Sequence, residues 1–264
     1  MPYEEKIKPI NEMHSLPLVS IITPTFNSAK YIRETIASVQ AQTYNNWQHI
    51  LIDDGSTDTT VSIVTEIAQK DERISIIQLK NNSGSAVARN KGINLAKGKY
   101  LTFIDSDDVW FPNFIETSIN TIQKYAIPFV YASYRRANEH LEFVYSDFIV
   151  PEKVTYTDIL KTNSISCLTA FIDVDVLGKK EMPLVRKRQD MGLWLQYLKI
   201  IPYAKGISTP LAIYRIRKDS LSRKKKDLLA SQWEFYRRVE NLSFFTSFYY
   251  MICWMYYGYK KYRT

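Results

Sequence analysis

Short apolar runs alternate with amphipathic stretches through the first half of the chain. Residues 18–23 form a short, mainly apolar run that predicts a buried strand. A turn over 24–28 follows, in which Asn27 or Ser28 can cap the next helix. Tyr31, Ile32, Ile36 and Val39 recur at helical spacing and carry that helix to about Thr43. A second strand over 49–52 ends in Asp53-Asp54-Gly55-Ser56-Thr57-Asp58, where Thr57 or Asp58 caps a helix running through Ala68. Residues 74–79 predict a third strand. A loop at Asn82-Ser83-Gly84 leads into a third helix over 86–96, stopped by Gly98. A fourth strand over 100–104 closes the series. Strand alternating with helix in this way predicts an α/β fold, a mostly parallel sheet with helices on both faces.

The second half is less regular and richer in tyrosine. A helix over 110–125 is expected to start near Pro112, strands are expected over 129–134 and 142–145, and a short helix over 155–160. Residues 164–172 predict another strand. From Arg188 a helix runs with Leu193, Trp194, Tyr197 and Leu198 on its apolar face. Residues 241–259 carry no charge, and Lys260, Lys261 and Arg263 follow. A helix of that length rises about 28 Å, close to a bilayer core. Its tyrosines and Trp254 suit the membrane interface, and Leu242, Phe245, Tyr249, Ile252, Tyr256 and Tyr259 form a stripe. An interfacial helix is therefore favoured over a spanning one. Docking on its own domain, or on a second copy in a homo-oligomer, is the competing reading. The pattern divides the chain into a 1–16 extension, a 17–110 half, a 111–222 half and a C-terminal helical region over 223–264.

Composition sharpens this picture in two ways. The 264-residue chain is 45% hydrophobic, enough for a real core. Its net charge of +8 and pI near 9.2 suggest an anionic partner. The basic residues, including the run over 223–226, form no known nucleic-acid motif, so anionic lipid or a phosphate-bearing substrate is the better partner. The two cysteines, Cys167 and Cys253, lie far apart and imply neither a metal site nor a disulfide framework, which fits a reducing compartment. Residues 1–16 are polar and lack an apolar core, so no secretory signal is expected.

Candidate chemistry falls at the carboxyl ends of the predicted strands, where open α/β sheets bind their ligands. The fourth strand delivers Asp105-Ser106-Asp107-Asp108. Three carboxylates within four residues repel one another, and a hard divalent cation with oxygen ligands removes that cost. The alternative is a solvated acidic turn capping the next helix. No G-x-G-x-x-G follows the first strand and no Walker loop is present, so any nucleotide must be held by carboxylates, a metal and side chains.

Four stretches in order, Val19-Ser20-Ile21-Ile22-Thr23-Pro24-Thr25-Phe26-Asn27, Asp53 to Asp58, Ala88-Arg89-Asn90-Lys91-Gly92 and Asp105 to Asp108, resemble the family 2 glycosyltransferases. Those are inverting enzymes of the GT-A fold that use nucleotide-diphosphate sugars. The resemblance implies a nucleoside site at Thr23, Pro24, Thr25, Asp53 and Asp54, where a carboxylate can accept the imide N–H of uracil. It implies a basic residue at Arg89 near the donor, Asp105 and Ser106 beside the sugar or ribose, and Asp107 as the principal ligand of Mg²⁺ or Mn²⁺. Asp108 supports the loop. Asp190 matches the catalytic base, with Gln189 where the family often has Glu; a plain helix cap is the other reading of this carboxylate. Arg217 stands where many relatives carry a metal-ligating His, and an arginine there can pair with the diphosphate instead. The 111–222 half would then take the acceptor, a saccharide or lipid-linked saccharide. The implied setting is cytoplasmic, on the inner face of a bacterial membrane.

Two other function classes compete. Phe103-Ile104-Asp105-Ser106-Asp107-Asp108-Val109 also fits the D-x-D-x-[TV] pattern of haloacid-dehalogenase phosphatases, with Asp105 as nucleophile. That motif belongs on a first strand, whereas here it follows the fourth. The other is a non-catalytic membrane-surface or nucleic-acid-binding module, suggested by the charge and the tail, although the basic residues form no known nucleic-acid motif.

Overall fold

The computed structural model describes residues 16–217 and 228–261. The basic run over 223–226 and most of the 1–16 extension lie outside the described residues. Among the described residues one mixed sheet of nine strands forms the spine. β1 (Val19–Thr25), β2 (Trp47–Asp53), β3 (Ile74–Gln78) and β4 (Tyr100–Phe103) are parallel and lie in the order β3-β2-β1-β4. Next to β4 come β8 (Phe171–Asp173), β6 (Phe129–Ala137), β9 (Ala204–Arg215) and β5 (Val109–Trp110), with β7 (Lys153–Val154) also on β9. β8 is antiparallel to both β4 and β6, and β9 is parallel to β6 but antiparallel to β5 and β7.

Side chains alternate across each strand, so neighbouring residues serve opposite cores. Ile22, Ile50, Ile52 and Phe103 join one cluster with Ala88 and Ile93 of α3 (Ser85–Leu95) and with Leu193, Trp194 and Tyr197 of α7 (Gln189–Leu198). Val19, Ile21 and Leu51 join the other with residues of α1 (Ile32–Gln40), α2 (Thr60–Ala68) and α4 (Phe114–Tyr125). Burial on both faces is why the parallel strands read as continuous apolar runs rather than alternating ones.

Several expected elements change. The helix expected from Trp110 begins at Phe114, because Val109 and Trp110 pair with Ile213 and Ala212 of β9. Trp110 Nε1 donates to Leu168 O at 2.8 Å, and its ring lies 4.3 Å from that of Phe114. No strand forms over 142–145. The Asn138 side chain accepts from His140 N and Glu142 N, Leu141 turns left-handed at φ 61°, and the chain loops out with Phe143 and Val144 exposed. Within 164–172 only Phe171 and Ile172 belong to a strand, after a 3-10 turn over Cys167–Thr169. Neither Asn27 nor Ser28 caps α1; Tyr31 holds that position with no side-chain bond. By contrast, the short helix α5 (Tyr156–Lys161) has a full capping box between Thr155 and Asp158. A single-turn helix, α6 (Val174–Leu177), follows β8.

The C-terminal region comprises α8 (Leu228–Glu234), a π-helical turn (Phe235–Val239) and α9 (Phe244–Lys261). It is docked on the domain. Glu240 accepts from Tyr156 Oη at 2.7 Å and pairs with Lys199 at 2.8 Å, while Tyr236 Oη donates to Leu160 O. Among the described residues no helix is long and apolar enough to cross a membrane.

Gly98 acts differently from a helix stop. α3 ends at Leu95 with extended Ala96 as its cap, and Gly98 instead lets the chain pass against the start of β1. A Cβ there would lie 2.5 Å from Leu18 O and 2.7 Å from Ser20 N, both backbone atoms. Gly98→Ala is therefore expected to cost about 2 kcal/mol. Urea unfolding checks this as a lower midpoint at unchanged slope.

Candidate active site

The carboxyl ends of β1, β2 and β4 lie side by side, and the loops leaving them are tied together. Asn27, left-handed at φ 47°, donates from its N–H to Ser56 Oγ at 2.9 Å and accepts from Thr57 N at 2.8 Å. Asp53 is buried and accepts from Thr25 Oγ1 at 3.2 Å, from Ser56 N at 3.0 Å and from Ser56 Oγ. Asp54 accepts from Ser83 N at 2.7 Å and Gly84 N at 2.8 Å, at the amino end of α3 where the helix dipole favours an anion. Both carboxylates thus brace the loops they sit in. Pro24 lies within β1, paired in register with Ile52. Thr23 is fully buried inside the sheet, and its hydroxyl bonds His49 Nε2 at 2.8 Å. Burial pushes His49 down to about 3, so its ring is neutral.

The acidic loop after β4 is held from below by Arg215, whose side chain is 1% exposed. Its Nε donates to Asp107 O at 2.7 Å and its Nη1 to Glu139 O at 2.6 Å, while Nη2 pairs with Glu34. The guanidinium lies 4.6 Å from the centre of the Tyr31 ring. Asp108 accepts from Arg215 N at 2.8 Å through Oδ1, and its buried Oδ2 has no partner. Burial first, then repulsion from Asp107 and Asp105, holds the Asp108 carboxyl well above the usual range. Nothing in the sequence pattern marks Arg215, except that a charged residue closes an apolar strand.

The upper carboxylates each meet an arginine. Arg89, buried in α3, pairs with Asp105 at 2.5 Å. The Gln189 amide orientation that satisfies both its ends accepts from Arg89 Nη1 at 3.0 Å and donates to Val185 O at 2.8 Å. Gln189 therefore braces Arg89 from the start of α7. Arg217 Nε lies 2.7 Å from Asp107 Oδ2, an ion pair without hydrogen-bond alignment. Burial and the nearby Asp105 still raise the Asp107 carboxyl, against the pull of Arg217. Ser106 Oγ bonds Ser28 Oγ at 2.6 Å.

Asp190 is the second residue of α7; the cap position belongs to Arg188, left-handed at φ 68°. Its Oδ2 accepts from Asn163 Nδ2 at 3.2 Å. Burial pushes the Asp190 carboxyl up, while Arg89 and Arg188 pull it down and Asp105 adds repulsion. Asp190 thus shares one electrostatic centre with the Arg89–Asp105 pair. Cys167 lies in the same centre: burial pushes its thiol up, and Arg89, Asp105 and Asp190 all act on it. Asn163 lies in the polar Lys161-Thr162-Asn163-Ser164 stretch and Cys167 in the run expected to be a strand, and neither pattern marks a site.

Among the described residues no group of three or more His, Cys, Asp or Glu side chains could hold a metal unaided. Asp107 nonetheless suits Mg²⁺ or Mn²⁺. Its oxygens are hard donors, Asp105 stands close enough to repel it, and such ions are commonly held by one or two carboxylates with phosphate oxygens and water.

Residues 20–171 match the family described as Glycosyl transferase family 2. The chain is 39% identical over 228 residues to the putative teichuronic acid biosynthesis glycosyltransferase TuaG of Bacillus subtilis (strain 168), covering 86% of this chain and 90% of TuaG. It is 36% identical over 218 residues to the UDP-Glc:alpha-D-GlcNAc-diphosphoundecaprenol beta-1,3-glucosyltransferase WfgD of Escherichia coli, covering 82% and 84%. The crystal structure of S. aureus TarS 1-349 in complex with UDP-GlcNAc superposes at a TM-score of 0.69 and 19% identity, over 90% of this chain and 71% of that one. The chain spans 42% of the longer TarS structure. At such identity TarS speaks for the fold alone, and that fold is GT-A. The chain belongs to glycosyl transferase family 2 and is a glycosyltransferase. The phosphatase and non-catalytic readings are not favoured.

Arg215→Met leaves Glu34 and the acidic-loop carbonyl without their donor and Asp108 without a nearby cation. With Glu34 half exposed, the main loss is the two backbone carbonyls left without their donor, and the change is expected to cost about 2 kcal/mol. Thermal unfolding followed by circular dichroism measures the loss, and Arg217→Met, at a more exposed position, is expected to cost far less.

Proposed function

We propose that the chain is an inverting glycosyltransferase that moves a sugar from a UDP-linked nucleotide sugar to a hydroxyl of a saccharide or lipid-linked saccharide. The product would be a cell-surface polysaccharide or glycolipid, made at the inner face of the membrane. One observation carries this reading. The strand-end carboxylates, the two arginines paired with them and Asp190, with its raised pKa, form a single electrostatic centre. The names of the relatives point the same way, one with a UDP-Glc donor and a lipid diphosphate acceptor, one in teichuronic acid biosynthesis.

In this reading Pro24, Thr25, Asp53 and Asp54 border the nucleoside, and buried Thr23 supports them from within the sheet through His49. Arg89 and Arg217 face the diphosphate, and Asp105 and Ser106 place the sugar. Asp107, with phosphate oxygens, would hold Mg²⁺ or Mn²⁺; such an ion neutralises charge on the departing nucleoside diphosphate. Asp190 takes the proton from the acceptor hydroxyl as its oxygen attacks the anomeric carbon from the side opposite the leaving group. The bond from the anomeric carbon to the diphosphate breaks as the new glycosidic bond forms, with no covalent intermediate. Gln189 keeps Arg89 aimed, and Asn163 steadies the ionised form of Asp190.

Calorimetry with UDP and Mn²⁺ tests the donor side: binding is expected in the native chain and should be lost on Asp107→Ala or with EDTA. Equal affinity in all three conditions removes the metal from Asp107.

Asp190→Asn is expected to abolish transfer, with UDP binding nearly unchanged, because a base acts only on the proton in flight. A working base must be ionised, so kcat/KM should fall as pH drops through the Asp190 pKa. Burial places that limb above the ordinary 3.8. Asn163→Ala removes a bond donated to the ionised carboxylate, so it should move the limb further up; a limb that does not move detaches Asn163 from the base.

A further inference from the structure

We propose that the outward face of α9 lies in the plane of an anionic lipid bilayer and holds the candidate active site against it. The purpose of such docking rests on the lipid-linked acceptor proposed above; the geometry does not. α9 has two unlike faces. Inward, Ser247 and Met251 are buried, Tyr250 stands 6.2 Å from Tyr236, and Trp254 packs against the core. Outward, Phe245, Phe248, Tyr249, Ile252, Tyr256 and Tyr259 recur at spacings of three and four, which puts them on one side of a helix. All are about half exposed or more, Phe245 by 83%, and no charged residue interrupts them. A soluble surface seldom leaves so long an apolar stripe uncovered.

Three observations choose the occupant. Because the inward face is committed to α5, the π-helical turn and Arg188, α9 cannot leave the domain to span a bilayer; it can only lie flat. Its stripe is dominated by Phe and Tyr, residues that settle at the headgroup level. In sequence the helix runs into Lys260, Lys261 and Arg263, and the run over 223–226 precedes the whole region, within a chain of net charge +8. An anionic surface attracts that charge, whereas a second copy would set like charge against like. From Phe245 to Tyr259 the helix also offers about 21 Å of stripe to the interface.

The docking has a consequence for the site. The Arg188 guanidinium stacks over the Trp254 ring at 5.0 Å, and Arg188 stands two residues before Asp190. A single contact therefore joins the membrane-facing helix to the turn that presents the proposed base.

The test uses the full chain with vesicles of phosphatidylcholine alone or with phosphatidylglycerol, read by co-sedimentation. The chain is expected to pellet with the anionic vesicles, less so in high salt, since surface attraction is screened. The triple variant Phe245→Ser, Tyr249→Ser, Ile252→Ser should lower vesicle affinity by about tenfold or more. Its donor hydrolysis without acceptor should be unchanged, which also shows that it is folded. Ile252→Glu is a second variant, expected to weaken binding in the same direction because it removes apolar area and sets an anion against the anionic surface. Absence of pelleting with either vesicle overturns the proposal, as does equal pelleting with neutral vesicles. So does a dimer in light scattering that the triple variant dissolves, which would give the stripe to a second copy. If vesicle binding holds while no nucleotide sugar is turned over, the docking stands and the glycosyltransfer reading of the site fails.

Discussion

The buried guanidinium of Arg215 is the constraint on which the arrangement of the site depends. Taking an arginine out of water is costly unless its donors are matched, and here they reach the Asp107 carbonyl, the Glu139 carbonyl and Glu34. Its backbone N–H meets Asp108 as well, so the end of β9 and the end of β4 are fixed to each other. Asp107 and Asp108 are adjacent but unlike because of this. One carboxylate points into the buried lattice and the other stays at the upper surface beside Arg217.

Charge balance above that lattice is incomplete. Arg89 matches Asp105 and Arg217 meets Asp107, yet the Asp107, Asp108 and Asp190 carboxyls all remain raised. Burial is the largest cause of each shift, so this cleft disfavours ionised carboxyls even beside their arginines. Gln189 adds to this. A glutamate there would bring another anion beside Asp105 and Asp190, whereas the amide supports Arg89 without charge.

The C-terminal region is built to stay with the domain. Glu240 is nearly buried and takes both the Tyr156 hydroxyl and the Lys199 ammonium, which anchors the π-helical turn before α9 begins. α9 is thereby held on one side and left open on the other, and its inner side reaches the Arg188 turn.

The sequence by itself determined the first half of the fold and the strand-end placement of Asp53, Asp54, Asp105 and Asp107. Parallel strands buried on both faces must be continuously apolar, and a strand that ends at a ligand crevice must change abruptly to polar residues; both are local patterns. Tertiary structure decided the rest. Val109 and Trp110 became a strand only because β9 lies alongside them. Residues 142–145 read locally as a strand, but the Asn138 side chain and left-handed Leu141 turn the chain there, and the strand does not form. Thr23 lies two residues inside the end of β1, and its hydroxyl meets His49 of the neighbouring strand, a contact set by register across β1 and β2. Arg215, Asn163 and Cys167 join the site through contacts between residues far apart in the chain, and no periodicity along the sequence records which distant groups a fold will bring within bonding distance.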